Sequence, residues 1–238
     1  MKAIRWTILA LTTIFTAVLM FVLPNDASVP VHFDINGNPD RFGSKYEMLI
    51  MQIIIISTVV FLYFFIKKYK KQAENETDEK KKAEFLSNAK VMNITSVITS
   101  VFFLAITVMT YYIVYSTTFE NLGLPEISVI NVIGVLMGAM FIVLANYMPK
   151  TRKNRNIGLR LPWSWYNDTT WKKSNRFASY LMIIVGIVCI FGSLFVNETA
   201  AGIIMMVSVV LAIALMSIYA YIVYRKERER ENEATDKE

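Results

Sequence analysis

Apolar residues fall in six blocks along the chain, at 6–23, 46–66, 91–115, 127–147, 177–196 and 200–224. Each block is close to the roughly 20 residues needed to cross about 30 Å of hydrocarbon. Charge, proline or turn residues bound every block. Lipid offers no partner to exposed backbone N–H and C=O groups, and a helix satisfies them within one segment. Runs such as Ile53-Ile54-Ile55-Ile56 do not alternate, as barrel strands must. The pattern therefore predicts an all-α, polytopic membrane protein with six transmembrane helices. One polar stretch adds to this. Val29-Pro30-Val31-His32-Phe33-Asp34 reads as a short strand, and Asn36-Gly37 is a hairpin turn signal. A short β-hairpin-like outer loop is expected after the first helix.

The chain then divides into a first helix pair (1–66) holding the outer loop 24–45, a lysine-rich linker (67–90), a four-helix membrane region (91–224) with the loop 148–176, and a charged tail (225–238). The first block begins like a signal peptide, with Lys2 and Arg5 ahead of an apolar run. Its length and the lack of a small-x-small cleavage site mark it as a retained first helix. The three residues 197–199 are so few that the fifth and sixth spans should form an antiparallel hairpin.

Charge orients this layout. Of 25 Lys and Arg residues, all but Arg41 and Lys45 fall before the first span, in 67–90, in 148–176 or in the tail. Those four regions share one side if all six spans are real. The positive-inside rule makes that side cytoplasmic, with both termini there. Trp6, Trp163, Trp165 and Trp171 fall on the same side, where indole rings favour the headgroup level, and Trp163 and Trp165 are expected on the membrane surface. The net charge of +6 is thereby accounted for without nucleic acid as a direct partner.

Composition removes several kinds of chemistry. The cores of the spans lack Asp, Glu, Lys, Arg and His. Ion-coupled transporters and intramembrane proteases place such groups at membrane depth. A single cysteine, Cys189, allows no intrachain disulfide. His32 is the only histidine, and a role in the hairpin outweighs a metal or pH-sensing role. The run Asp34-Ile35-Asn36-Gly37-Asn38-Pro39-Asp40 has oxygen side chains at alternate positions. Its glycine stands at the fourth place of a calcium loop rather than the sixth, and Lys45 stands at the twelfth. Asn and Asp that shape the turn through their own backbone are the better reading. No metal, cofactor or catalytic group is expected.

The loop after the fourth span is the densest constellation. Asn146, Pro149, Asn154, Gly158, Arg160, Pro162, Trp163, Trp171 and Arg176 interleave amide, glycine, arginine, proline and indole in a way a plain basic loop does not need. Arg160 could hold a phosphate or a partner's carboxylate bidentately. Within the fourth span, Gly134 and Gly138 form a small-xxx-small pair, which permits close packing in the monomer by default and a homo-oligomer as the lesser reading. Asn93 and Asn131 are candidates to bond across helices. The hydroxyls of the third span are either glue or cavity lining.

Two stretches resemble the SdpI family of bacterial membrane immunity proteins. The first is Leu23-Pro24, Val29-Pro30-Val31-His32-Phe33-Asp34, Gly37-Asn38-Pro39-Asp40 and Gly43-Ser44-Lys45, similar to the outer-loop signature of a small uncharacterised domain that often precedes the SdpI region. Its motif residues here are Pro30, His32, Asp34, Gly37, Asp40, Gly43 and Lys45. The second is Asn146-Tyr147-Met148-Pro149, Asn154, Gly158-Leu159-Arg160-Leu161-Pro162-Trp163, Trp171 and Arg176, similar to the SdpI-region motif itself. The chain departs from the family pattern in three places. Ala145 stands for a glycine, Ser174-Asn175 for Thr-His, and Ser179 for another glycine. Any chemistry that relatives draw from that imidazole is absent here.

The resemblance implies protection of a producing cell against a secreted membrane-active toxic peptide. It also implies signalling, with a cytoplasmic repressor held at the membrane. Both are binding activities and need no catalysis. The alternative from the residues alone is a small transporter or permease for a neutral or lipid-like molecule. An enzyme acting on a headgroup ranks last, with Asp168 the only acidic residue of the loop.

Overall fold

A computed structural model describes residues 2–34, 36–118, 128–154 and 158–236. Six helices are long and apolar enough to cross a membrane: α1 (Lys2–Val22), α2 (Met48–Glu74), α3 (Glu79–Thr118), α4 (Val129–Tyr147), α5 (Asp168–Phe195) and α6 (Glu198–Thr235). Between α1 and α2 lies an antiparallel hairpin of β1 (Ser28–Phe33) and β2 (Pro39–Ser44). Helices α1, α2 and α3 pack as one group, α4, α5 and α6 as another, and α3 meets α4 between them. The expected hairpin of the last two spans is present, with α5 and α6 packed side by side.

The helices overrun the apolar blocks at the lysine-rich end. The 40 residues of α3 make a rod of about 60 Å, twice the hydrocarbon thickness. The stretch 67–90, read above as a linker, is helical except for a turn between α2 and α3. Lys, Glu, Ala and Gln dominate it, and these are good helix formers. The Asp78 carboxylate accepts from the backbone N–H of Lys80 and Lys81, which starts α3. Ile66, Tyr69, Ala89 and Met92 are buried together, so this helical pair has its own small core. The tail likewise continues α6 to Thr235.

Small residues join α4 to α5. A Cβ on Gly138 would sit 2.5 Å from the Gly186 carbonyl oxygen, and one on Gly134 would strike the Ser193 hydroxyl. The small-residue pair of the fourth span therefore serves packing within the chain. Asn93 and Asn131 do not meet. Asn93 lies at the lysine-rich end of α3, whereas Asn131 lies in the first turn of α4 at the hairpin end. Asn93 instead accepts from Arg5, and the Asn131 side-chain oxygen is buried without a partner. Of the span-three hydroxyls, Ser100 bonds back to the Ser96 carbonyl, while Thr107 and Thr110 line a cavity.

Candidate functional site

The candidate functional residues gather at the two ends of the bundle. At the hairpin end, the local sequence explains most of the geometry. The Asp34 carboxylate accepts from the backbone N–H of Asn36 (2.8 Å) and Asn38 (2.9 Å). These bonds, with that of Asn38 foremost, hold its pKa below the ordinary 3.8. Asp34 thus plays the turn-shaping role. Gly37 takes a positive φ of 80°. It also lies where a Cβ would come within 2.5 Å of the Glu198 carboxylate at the start of α6. The Thr199 hydroxyl meets the Asn36 side-chain oxygen beside it. The hairpin rises from the α1–α3 group, yet its tip reaches the α5–α6 turn.

The other residues of this motif have equally definite places. His32 pairs with Asp40 across the strands, in the open. Pro30 is buried, next to Val29, which packs on Leu19, Leu23 and Val114. A Cβ on Gly43 would collide with the Glu47 carboxylate, so glycine makes room for Glu47 to pair with Arg41 at 2.9 Å. Lys45 is 3% exposed, and its ammonium donates to the carbonyls of Met20 (2.8 Å) and Leu23 (2.6 Å). Those are orphan carbonyls at the end of α1, where the helix dipole favours a cation. Beneath the hairpin lies a mostly apolar chamber of about 400 Å³, between α1, α2, α3 and the first turns of α4. Leu19, Ile55, Tyr111 and Ile133 line it, with Gln52, Thr107 and Thr110 as polar points and Arg41 and Glu47 also on its wall.

The lysine-rich end is built differently. Between the short 3-10 turn Met148–Lys150 and α5 the described residues form no regular element, so their backbone groups need side-chain partners. Helices α3 and α5 supply them, and α2 and α6 add bonds to the loop's side chains. The Asn88 side-chain oxygen on α3 accepts from the Arg152 N–H and from Asn154, and the Tyr69 hydroxyl on α2 donates to Asn154. The Ser87 hydroxyl donates to the Lys150 carbonyl. From α5, the Trp171 indole N–H donates to the Thr151 carbonyl at 3.2 Å, and Asn175 accepts from the Leu159 N–H at 2.7 Å. From α6, the Glu231 carboxylate accepts from Tyr166 and Asn167. That bond is the main reason the Tyr166 pKa is raised. The Ser164 hydroxyl, fully buried, ties the turn internally by donating to the Leu159 carbonyl at 2.7 Å.

The motif residues therefore split in two. Asn154, Gly158 and Trp171 are architecture. Gly158 has φ +107°, and a Cβ there would lie 2.5 Å from the Asn175 side-chain oxygen and 2.9 Å from the Trp171 ring. Trp163 and Trp165, expected on the membrane surface, are both half-buried. Trp163 is half-buried edge-on against Tyr221 with its indole N–H unpartnered, and Trp165 lies edge-on to Trp171. Asn146, Pro149, Arg160, Pro162 and Arg176 are exposed. Asn146 bonds back to its own helix, and Arg176 donates to the Tyr180 hydroxyl. The rest of the loop around 155–157 lies outside the described residues.

Two of the departures from the family pattern touch each other. The Ser179 hydroxyl donates to the Ala145 carbonyl at 2.8 Å, across the α4–α5 contact. The third, Asn175, is 1% exposed; its side-chain oxygen accepts from the loop at the Leu159 N–H, and its NH2 donates back to the Trp171 carbonyl of its own helix. Sequence reasoning missed Tyr69, Asn88 and Glu231, which sit in stretches that read as solvated charge. The apolar spacing of Phe85, Ala89 and Met92 was the available signal that this stretch packs against something.

Beside the loop lies an open basin of about 940 Å³ between the start of α3 and the start of α5. Eight lysines and arginines line it, among them Lys80, Lys150, Arg152, Lys172 and Arg176, against the three acids Asp78, Glu84 and Asp168.

Residues 150–220, from the end of this turn through most of α6, match the SdpI/YfhL protein family. Residues 7–56, comprising α1, the hairpin and the start of α2, match a domain of unknown function, DUF1648. The chain is 34% identical over 119 residues to the Immunity protein SdpI of Bacillus subtilis (strain 168), a match covering 50% of this chain and 56% of that one. No solved structure matches. This multi-pass membrane protein is thus similar to the SdpI/YfhL family over its basic loop and much of its last two helices, and to DUF1648 over its first helix and hairpin.

Proposed function

We propose that this chain is an immunity protein of the bacterial cell membrane, which protects its cell against a secreted membrane-active toxic peptide. The observation that carries this reading is the 34% identity to a protein named for immunity. In this reading the lysine-rich end faces the cytoplasm, supported by the distribution of basic residues. The hairpin end then faces outward, and the apolar chamber under it suits the side chains of a membrane-active peptide. The basic basin, with Arg176 in its wall, suits an acidic surface on a cytoplasmic partner such as a repressor, and Arg160 is exposed on the same loop. The chamber also supports a second reading, facilitated passage of a neutral lipid-like molecule, which uptake into sealed vesicles would reveal.

The test is survival. The chain is expressed in a bacterium stripped of its own immunity protein and challenged with the toxic peptide of an SdpI-type system. Protection is expected, and it should be lost in Arg160→Ala or Trp163→Ala with membrane insertion intact. Full protection by both variants would refute the role of the loop. Killing despite confirmed membrane expression would refute immunity to that peptide.

A further inference from the structure

A third cavity, of about 400 Å³, opens at the lysine-rich end between α1, α2 and α3. It is separate in its lining from both the chamber and the basin. Arg5 lines it. That side chain is 1% exposed, yet among the described residues no carboxylate stands within ion-pair distance of it. One terminal nitrogen donates to the Asn93 side-chain oxygen (3.2 Å) and the Ser96 hydroxyl (3.4 Å), both neutral groups of α3. The Nε–H is buried with no acceptor. The rings of Trp6 and Tyr63 lie 5.7 and 5.2 Å from the guanidinium carbon, close enough for cation–π attraction but not for neutralisation.

A buried cation without an anion is among the costlier things a fold can hold. The mouth of the same cavity makes the imbalance larger. Lys67, Lys70 and Lys71 sit at helical spacings that share one face of α2, Lys2 joins them from α1, and Glu74 is the one acidic residue in the lining. All four lysines are exposed. The cavity lies where α1 and α2 leave their apolar blocks, the depth of lipid headgroups. A guanidinium presents a planar fork of donors that matches phosphate oxygens, and ammonium groups around it add charge.

We infer that this cavity binds an anionic phosphate group, with Arg5 pairing its oxygens at the base and the lysines of α2 closing around it. The phosphate is carried on a membrane lipid headgroup or comes free from solution. The inference rests on the geometry around Arg5 and stands whether or not the chain confers immunity.

The experiment uses the full chain purified in a mild detergent. Thermal unfolding is followed with phosphatidylglycerol, with the net-neutral phosphatidylcholine or with inorganic phosphate added, and retained lipid is read by native mass spectrometry. Phosphatidylglycerol should raise Tm and remain bound, and phosphatidylcholine should do neither. A comparable rise with inorganic phosphate assigns the site to a free anion; a rise with phosphatidylglycerol alone assigns it to a headgroup. Arg5→Met should abolish the ligand-dependent rise while leaving the ligand-free Tm unchanged or higher, because an uncompensated buried charge is gone. Lys67→Gln with Lys71→Gln, at exposed positions, should reduce the rise and keeps the test decisive if the Arg5 variant folds poorly. Equal behaviour of all three additives, or a rise that survives unchanged in the variants that fold, would overturn the inference.

Discussion

The hairpin and the basic loop are both irregular caps on the same bundle, but they are held in opposite ways. Most of the hairpin's polar contacts are made within 24–47. Asp34 shapes its own turn, His32 meets Asp40, and Arg41 meets Glu47. Among its described residues, the basic loop makes few such contacts outside Ser164 and the Asn167–Thr170 cap of α5. Its partners lie on α2, α3, α5 and α6, and Asn154 meets Tyr69 and Asn88 across 85 and 66 residues of sequence. The hairpin should therefore tolerate change in the bundle better than the loop does, and the loop should report on the packing of four helices at once. A segment wired to every neighbour is well placed to couple events among the helices to a surface such as the basic basin.

The sharpest way to break this contrast is Trp171→Ala. It empties a buried site and frees the Thr151 carbonyl, at a cost of about 3–5 kcal/mol. Tm of the purified protein should drop, and proteases should cut the loop well before the hairpin. Equal protection of both segments would show that the loop does not depend on this anchor.

Lys45→Ala should cost less, about 1–3 kcal/mol, by leaving the Met20 and Leu23 carbonyls of α1 without their donor. Lys45 is one of the hairpin's few polar ties to the bundle, so a hairpin unaffected in hydrogen exchange would widen the contrast. Acidification should have the smallest effect. The Asp34 carboxyl is held below its ordinary pKa, so its contribution is present above 3.8 and is lost as pH falls through the lower folded value. Amide protection at Asn36 and Asn38 should fade over that interval while the loop amides of Leu159 and Leu161 keep theirs. Simultaneous loss would mean that the two caps open together.

How much was legible beforehand follows the same division. The hairpin was readable because Asn36-Gly37 and the alternation before it act between neighbours. Gly134 and Gly138 were legible as a close-packing pair, but the helix they face, α5, was not. The interior of the loop was not readable, since Tyr69 and Asn88 stand in a lysine-rich run whose composition signals solvent. Nor was Arg5, which looked like an ordinary flanking charge before the first span and proved to be buried against α3.

By itself, the sequence determined the six spans, the hairpin between the first two and the confinement of basic residues to one end. Hydrocarbon selects for local composition and backbone self-sufficiency, and both can be counted along a chain. Only the tertiary structure decided that α2, α3 and α6 run past the membrane, that Lys45 caps α1, and that the motif residues divide into buried anchors and an exposed set. Those outcomes depend on which distant polar groups meet. A buried donor or acceptor must find a partner wherever the packing of helices places one.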